Sequence, residues 1–444
     1  MNDVLAKTEE IVKKAKNLGA DEVVAKTTFG RYRQVRFSNN QVDTTVVWND
    51  YSTDVTLAWK KRLVATQIHN FAHVDANVKQ LLALAKVSSK NPTFGGFAKG
   101  RFPYAKSSAD EKLENLQSLS EYVLEAIEAA KKETGGKAET GGALFTKFED
   151  VYLASSEGPV GVDKRSAIEL SIRAFSQREA SGHGVECAST LRDFKPARAG
   201  EKAGQVAKLA RNPKAGKEGV YDVIFDPLTF GTMLGVWGGM LSAFSILVHM
   251  SVFVDKLGKR VAPKIVTLRD DPGAYSLSNR VLDDEGAPTK ENVLIDKGTL
   301  RTYLHNASTA KMFKTKTTGN AGLVSPTPWN IEMDGGNTSK NELFEETKKG
   351  LYLTNTWYTR FQNYAKGDFS TIPRDGIFTI EKGEIKNSRK DLRLSDNALA
   401  LLGNITAASK ERQHVHWWLF DMDGYPPSLS PYVVIKDVHM TKSK

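Results

Sequence analysis

The residues of this chain best suited to metal chemistry are His414 and His416, because side chains two apart in a strand project to the same face, as in many His-x-His sites. A third ligand would have to come from His249, His305 or a carboxylate. No complete set can be named, so the pair reads as neutral histidines packed beside Trp417 and Trp418. His183, within Ser181-Gly182-His183-Gly184, is expected in a flexible glycine loop, with no nucleophile or orienting acid beside it in sequence. Cys187 is the single cysteine, which leaves no internal disulfide and no thiolate metal cluster. The remaining candidate is aromatic: residues 357–364, followed by Gly367-Asp368-Phe369-Ser370, concentrate rings around a cation. Such residues are favoured contacts for peptides and protein surfaces, and they equally fill β-domain cores. The candidate substrate contacts are therefore Trp357, Tyr358, Arg360, Asp368, Phe369 and Ser370, and no catalytic or metal-ligating residue is assigned.

The elements that must position these groups centre on residues 227–254, the longest uncharged run, fenced by Asp226 and by Asp255-Lys256. Its length would permit a membrane span, since about 20 apolar residues suffice. Gly231, Gly235, Gly239 and Ala243 recur every four residues and give one helical face that is nearly bare backbone. With no second such segment, no cleavable leader at the start and no one-sided cationic flank, the run reads as a central core helix, and a membrane-associated protein is an alternative.

Upstream, Leu5, Ile11, Val12, Ala15 and Leu18 share a helical face that ends at Gly19. Residues 20–70 switch to period two and predict an antiparallel meander with turns at Asn39-Asn40 and Asn49-Asp50. Helices are expected near 75–87, 109–133 and 197–211, with strands near 143–154, 166–177 and 220–225. Beyond 254, short strands with turns dominate, with one more helix near 340–350. The expected fold is α+β: an N-terminal mixed domain, 1–213, with an antiparallel sheet and flanking helices, and a β-rich domain, 214–444, around helix 227–254.

Composition narrows the class. With 444 residues the chain supports two or three domains and a sizeable core. Its net charge of +10 is spread along the chain, which favours a solvated surface over nucleic-acid binding. The lone cysteine suits a reducing cytoplasm.

Five motifs in order make the chain resemble the TldD/PmbA family of modulators and metalloproteases. They are Asp255-Lys256-Leu257-Gly258, Asp283-Asp284-Glu285-Gly286, Thr318-Gly319-Asn320-Ala321-Gly322, Gly367-Asp368-Phe369-Ser370 and Glu381-Lys382-Gly383-Glu384. In the TldD-like branch the central helix carries HExxxH, two metal ligands and a base, with a cysteine near the chain end as a further ligand. Here the matching stretch is Gly231-Thr232-Met233-Leu234-Gly235-Val236, without ligand or base. The resemblance thus implies the PmbA, or TldE, branch: a non-catalytic subunit that binds no cofactor itself, with zinc in a TldD-like metalloprotease partner. It would help to enclose that site and admit unfolded or short peptides, and in isolation could form a homodimer. A self-sufficient metallopeptidase using the His414 and His416 region is the other alternative.

Overall fold

The computed structural model describes residues 2–273, 275–322, 325–416 and 425–443. It is an α+β fold built on two sheets. The first part runs α1 (Asn2–Asn17), β1 (Glu22–Ser38), β2 (Gln41–Trp59), β3 (Arg62–Ile68), α2 (Val74–Val87), α3 (Glu111–Glu114), α4 (Ser120–Thr134), β4 (Glu139–Ser155), β5 (Val160–Gln177), β6 (Ala180–Ala188) and α5 (Pro196–Leu209). Its six strands form an antiparallel sheet in the order β3-β2-β1-β4-β5-β6.

Side-chain alternation divides that sheet into two faces. Val23, Ala25, Val35 and Phe37, all odd positions of β1, are buried among residues of α1, α2, α4 and α5, so the helices share one face. The other face is polar. Lys26 of β1, Glu149 of β4 and Arg165 of β5 project from it toward the rest of the chain, where Lys26 pairs with Asp284 at 3.0 Å and Arg165 donates to the Leu282 carbonyl.

The second part runs β7 (Lys214–Ala215), β8 (Gly219–Phe225), α6 (Pro227–Met240), α7 (Ala243–Leu247), β9 (Leu268–Asp270), β10 (Asn292–Asp296), β11 (Thr299–Leu300), α8 (Ala307–Met312), β12 (Ile331–Met333) and α9 (Lys340–Glu346). It continues with β13 (Lys349–Leu353), β14 (Thr356–Asn363), β15 (Asp368–Pro373), β16 (Ile377–Glu381), β17 (Glu384–Lys390), β18 (Leu392–Asn397), α10 (Ala398–Gly403), β19 (Ile405–Val415) and β20 (Ser428–Lys442). These strands make one large mixed sheet. Its main path is β11-β10-β9-β12-β20-β8-β13-β16-β17-β7, with β14, β15, β18 and β19 branching from it. The sheet bends around α6, which packs against β20, β12, β19, β14 and β8.

Four local expectations are corrected. The uncharged run is not one helix over 227–254: α6 stops at Met240, Ser242 is extended, and α7 covers only Ala243–Leu247. The cause is tertiary, because Leu241 and Ala243 exchange backbone hydrogen bonds with Leu304 at 2.9 Å each, which takes the chain out of helix. Among the described residues no helix is long and apolar enough to cross a membrane.

The helix expected over 109–133 is broken between α3 and α4. Arg33 donates to the carbonyls of Leu113 and Glu114, which a continuing helix would have used. Asn49 and Asp50 do not turn; they pair with Arg31 and Gly30 inside β2, and the chain reverses instead at Lys60-Lys61, both with positive φ. His183 does not sit in a loop. It lies in β6, where Gly182 and Gly184 allow α5 to approach, since a Cβ on either would stand 2.1 or 1.9 Å from a carbonyl of that helix.

Candidate functional site

Helix α6 forms the wall on which the site is built. Pro227 opens it, the Asp226 side chain accepts from Leu228 N at 3.2 Å, and every residue except Gly239 is buried. Proline at the first position costs nothing, because that N–H has no partner in a helix anyway. The four-residue glycine spacing works as a contact face. A Cβ on Gly231 would meet Ser428 Oγ at 2.8 Å, and one on Gly235 would meet Tyr425 at 3.0 Å. One turn further, a Cβ on Gly239 would meet nothing within 4 Å.

Gly239 is open because it borders a cavity of about 390 Å3. This cavity lies between α6 and the polar face of the first sheet, with Lys147, Arg280, Trp329 and His416 in its wall and Ser242 and Thr327 adding hydroxyls. A second cavity, about 370 Å3, lies against Thr232 and is walled by Trp357, Tyr358, Thr359, Arg360 and Tyr364. Tyr425 lines both, so the two hollows adjoin at one ring.

The second hollow is the work of the β14–β15 hairpin. Among the described residues β14 pairs only with β15, and that pairing is interrupted between Trp357 and Arg360 and again between Phe361 and Asn363. Its outer edge therefore offers backbone N–H and C=O groups beside the cavity. Tyr358 stands at φ 56 and is 59% exposed, a left-handed conformation that a bulky residue adopts only under constraint. Of the six candidate contacts, Trp357, Tyr358 and Arg360 come together here. The other three do not line the cavity. Asp368 accepts from Asn397 Nδ2 at 2.9 Å, Phe369 is 1% exposed in the main core, and Ser370 accepts from Arg393 Nη1 at 2.6 Å.

The histidines are dispersed. His416 Nδ1 lies 2.6 Å from Glu169 Oε2 on β5, whereas His414 is held in β19 with its Nδ1 unpartnered and burial pushing its pKa down to about 4. His305 is enclosed beside Thr309 and His249 is exposed in the loop after α7. Trp417 and Trp418 lie outside the described residues. Among the described residues no three His, Cys, Asp or Glu side chains converge to hold a metal. The donor chemistry of the α6 wall, glycine, threonine and apolar groups, does not fit zinc.

One arrangement imitates a hydrolase. His183 Nε2 is 2.8 Å from Ser171 Oγ, and Asn355 lies 2.8 Å from His183 Nδ1. Asn355 Nδ2 also reaches Asp375 Oδ2 at 3.3 Å, which fixes its amide as a donor to the imidazole. The imidazole proton then sits on Nε2 and points at Ser171, so the serine gains no base. Burial lowers the His183 pKa to about 4. The cluster, with Arg173 paired to Asp375, ties the first sheet to the second.

Of the side chains lining the first cavity, sequence reasoning singled out only His416. Lys147, Arg280 and Trp329 are far apart in the chain, and no local pattern joins them.

Residues 102–211 match the PmbA/TldA metallopeptidase central domain and residues 218–442 match the PmbA/TldA metallopeptidase C-terminal domain. The chain belongs to the TldD/PmbA family. It is 27% identical over 424 residues to Metalloprotease MJ0996 of Methanocaldococcus jannaschii, covering 89% of this chain and 79% of that one. It is 24% identical to the metalloprotease TldD homolog of Haemophilus influenzae, covering 70% of this chain and 69% of the relative. The fold is shared with TldE from Thermococcus kodakarensis, at a TM-score of 0.85, 20% identity, and coverage of 98% and 100%. It is shared equally with a putative modulator of a DNA gyrase from Thermotoga maritima, at a TM-score of 0.85, 22% identity, and coverage of 98% and 99%. Within the TldD/PmbA fold, two of the five motifs noted in the sequence prove to be structural joints. Asp283 accepts from the amides of Glu285, Ala287 and Ala321, Asp284 pairs with Lys26, and Asn320 donates to Asp270.

Proposed function

We propose that this chain is the TldE-like, non-catalytic subunit of a cytoplasmic TldD/TldE-type metalloprotease, that its TldD-like partner carries the zinc, and that this subunit accommodates unfolded or short peptides. The observation that carries the reading is α6, whose exposed and cavity-facing positions offer no metal donor and no carboxylate. A hydrolytic zinc needs ligands and a group to move protons, so chemistry on this wall would have to be supplied by another chain.

The unpaired edge of β14 supports the peptide half of the proposal. An extended peptide adds to such an edge by main-chain hydrogen bonds, with little demand on its sequence. Trp357, Tyr358 and Arg360 would supply side-chain contact along it.

The test is metal content and peptidase activity of the purified chain, alone and mixed with a TldD-like protein from the same genome. The expected result is no activity alone and an active complex on mixing. Hydrolysis by the lone chain with stoichiometric zinc would overturn the proposal.

A further inference from the structure

Arg280 is an arginine held in place with most of its hydrogen-bonding capacity unused among the described residues. Its guanidinium carbon lies 3.6 Å from the centroid of the Trp329 ring, and its Nε donates to the Ser278 carbonyl at 3.2 Å. Trp329 is itself fixed, with its backbone N–H bonded to Asp270 and its indole N–H to the Gly319 carbonyl. Among the described residues neither Nη of Arg280 has a protein acceptor, and no carboxylate lies within ion-pair distance of it.

The acids in this region are occupied elsewhere. Asp284 pairs with Lys26 at 3.0 Å, Asp163 with Arg165 at 2.9 Å, and Glu149 accepts from Tyr32 at 2.9 Å. Glu169 is engaged by His416 through Oε2 alone, its buried Oε1 having no hydrogen-bond partner among the described residues. Lys147, in the same cavity wall, comes no closer than 3.9 Å to Glu149 and has no hydrogen-bond acceptor among the described residues. Among the described residues, Arg280 thus faces a hollow of about 390 Å3 without an ion-pair partner, and Lys147 beside it has only the distant Glu149, at 3.9 Å. Burial lowers both pKa values, that of Arg280 to about 10 with the nearby Arg165 adding to the fall, and the surrounding carboxylates only partly offset the lost hydration.

A guanidinium held over an indole, its Nη groups without an acceptor among the described residues, is preorganised for a carboxylate. The cavity adjoins the β14 hollow at Tyr425, so a strand lying along the hairpin leads past that ring toward Arg280 and Lys147. We infer that the Lys147–Arg280 cavity is a carboxylate subsite that captures the C-terminal carboxylate, or an acidic side chain, of a peptide lying in the adjoining groove. This inference rests on the peptide-accommodating reading and adds to it a preference for charge.

The experiment is fluorescence anisotropy of the full-length chain with three labelled unstructured peptides of one core sequence: the free acid, the C-terminal amide, and the amide carrying one glutamate. Free acid binding about tenfold more tightly than the plain amide is the expected result for a charge-assisted pair, with R280Q abolishing the difference. Tightening by the glutamate peptide alone would assign the site to acidic side chains, and tightening by the free acid alone to the chain terminus. Equal affinity of all three for the wild-type chain would overturn the subsite and leave peptide binding intact. Absence of binding by all three would overturn the peptide reading itself.

Discussion

Gly235 of α6 lies against Tyr425 so closely that a methyl group in place of its hydrogen would stand 3.0 Å from the tyrosine Cβ. The ring thus rests directly on the helix backbone at the junction of the two cavities. Gly235→Leu should cost about 1 to 3 kcal/mol by overpacking. Gly239→Ala, whose methyl group enters open space, should be neutral or stabilise the helix by up to about 1 kcal/mol. Chemical denaturation of the two variants checks the contrast, and equal destabilisation would refute this packing.

Lys202 of α5 reaches Asp226, the residue that caps α6, at 2.5 Å, and also Tyr352 Oη at 2.8 Å. Asp226 is 1% exposed, so removing its cation leaves a buried charge without its partner. Lys202→Met is expected to destabilise the protein by about 3 kcal/mol, and adding Asp226→Asn should restore part of that loss. A loss below about 1 kcal/mol, measured by denaturation, would count against this pair as a brace between the two sheets.

Stability should fall between pH 6.5 and 8.5. Burial raises Glu186 and Glu332 to about 7 and pushes Glu285 up in the same direction, reinforced by the charge of Asp283. The folded state therefore binds more protons than the unfolded state in that interval, and the stabilisation present at low pH is lost as pH rises through the folded values. Below pH 6.5 the buried histidines His183, His305 and His414, lowered to about 4, act in the opposite direction. The loss should be steepest above pH 6.5, where the histidines no longer oppose it, and Glu285→Gln should flatten that limb. A melting temperature that rises from pH 6.5 to 8.5 would refute the assignment.

Tyr358→Gly should separate stability from binding. Glycine accepts φ 56 without strain, so the variant should melt at or above the wild-type temperature. Loss of a 59% exposed ring beside the β14 edge should weaken peptide affinity about fivefold or more. Unchanged affinity would remove Tyr358 from the groove.

What was legible in the sequence was local. Ile11, Val12 and Ala15 announce α1, and Asn39-Asn40, both at positive φ, mark the turn between β1 and β2. The breaks were not legible, because their causes are distant: Arg33 ends α3 from 80 residues away, and Leu304 draws the chain out of α6. Glycines misled around His183, where they serve close approach to α5 instead of mobility. Of the site, the aromatic stretch could be seen because its residues are contiguous. The cationic cavity could not, since strand, loop and helix end meet there only after folding.

The placement of β20 has a consequence for biosynthesis. This strand pairs with β8, β12, β18 and β19, so it is the seam of the second sheet. Val223 of β8 finds Ile435 only after some two hundred further residues have been made. At ribosomal speeds that is an interval of about 10 to 40 s. Until then β8 has only the later β13 as a partner, and the apolar helix behind it lacks β20, the strand against which it packs most. The first sheet, complete by Ala188, can fold meanwhile. The nascent chain thus carries a finished half and an incompletely covered glycine-rich helix, and this is the stage at which a chaperone would have the most to protect.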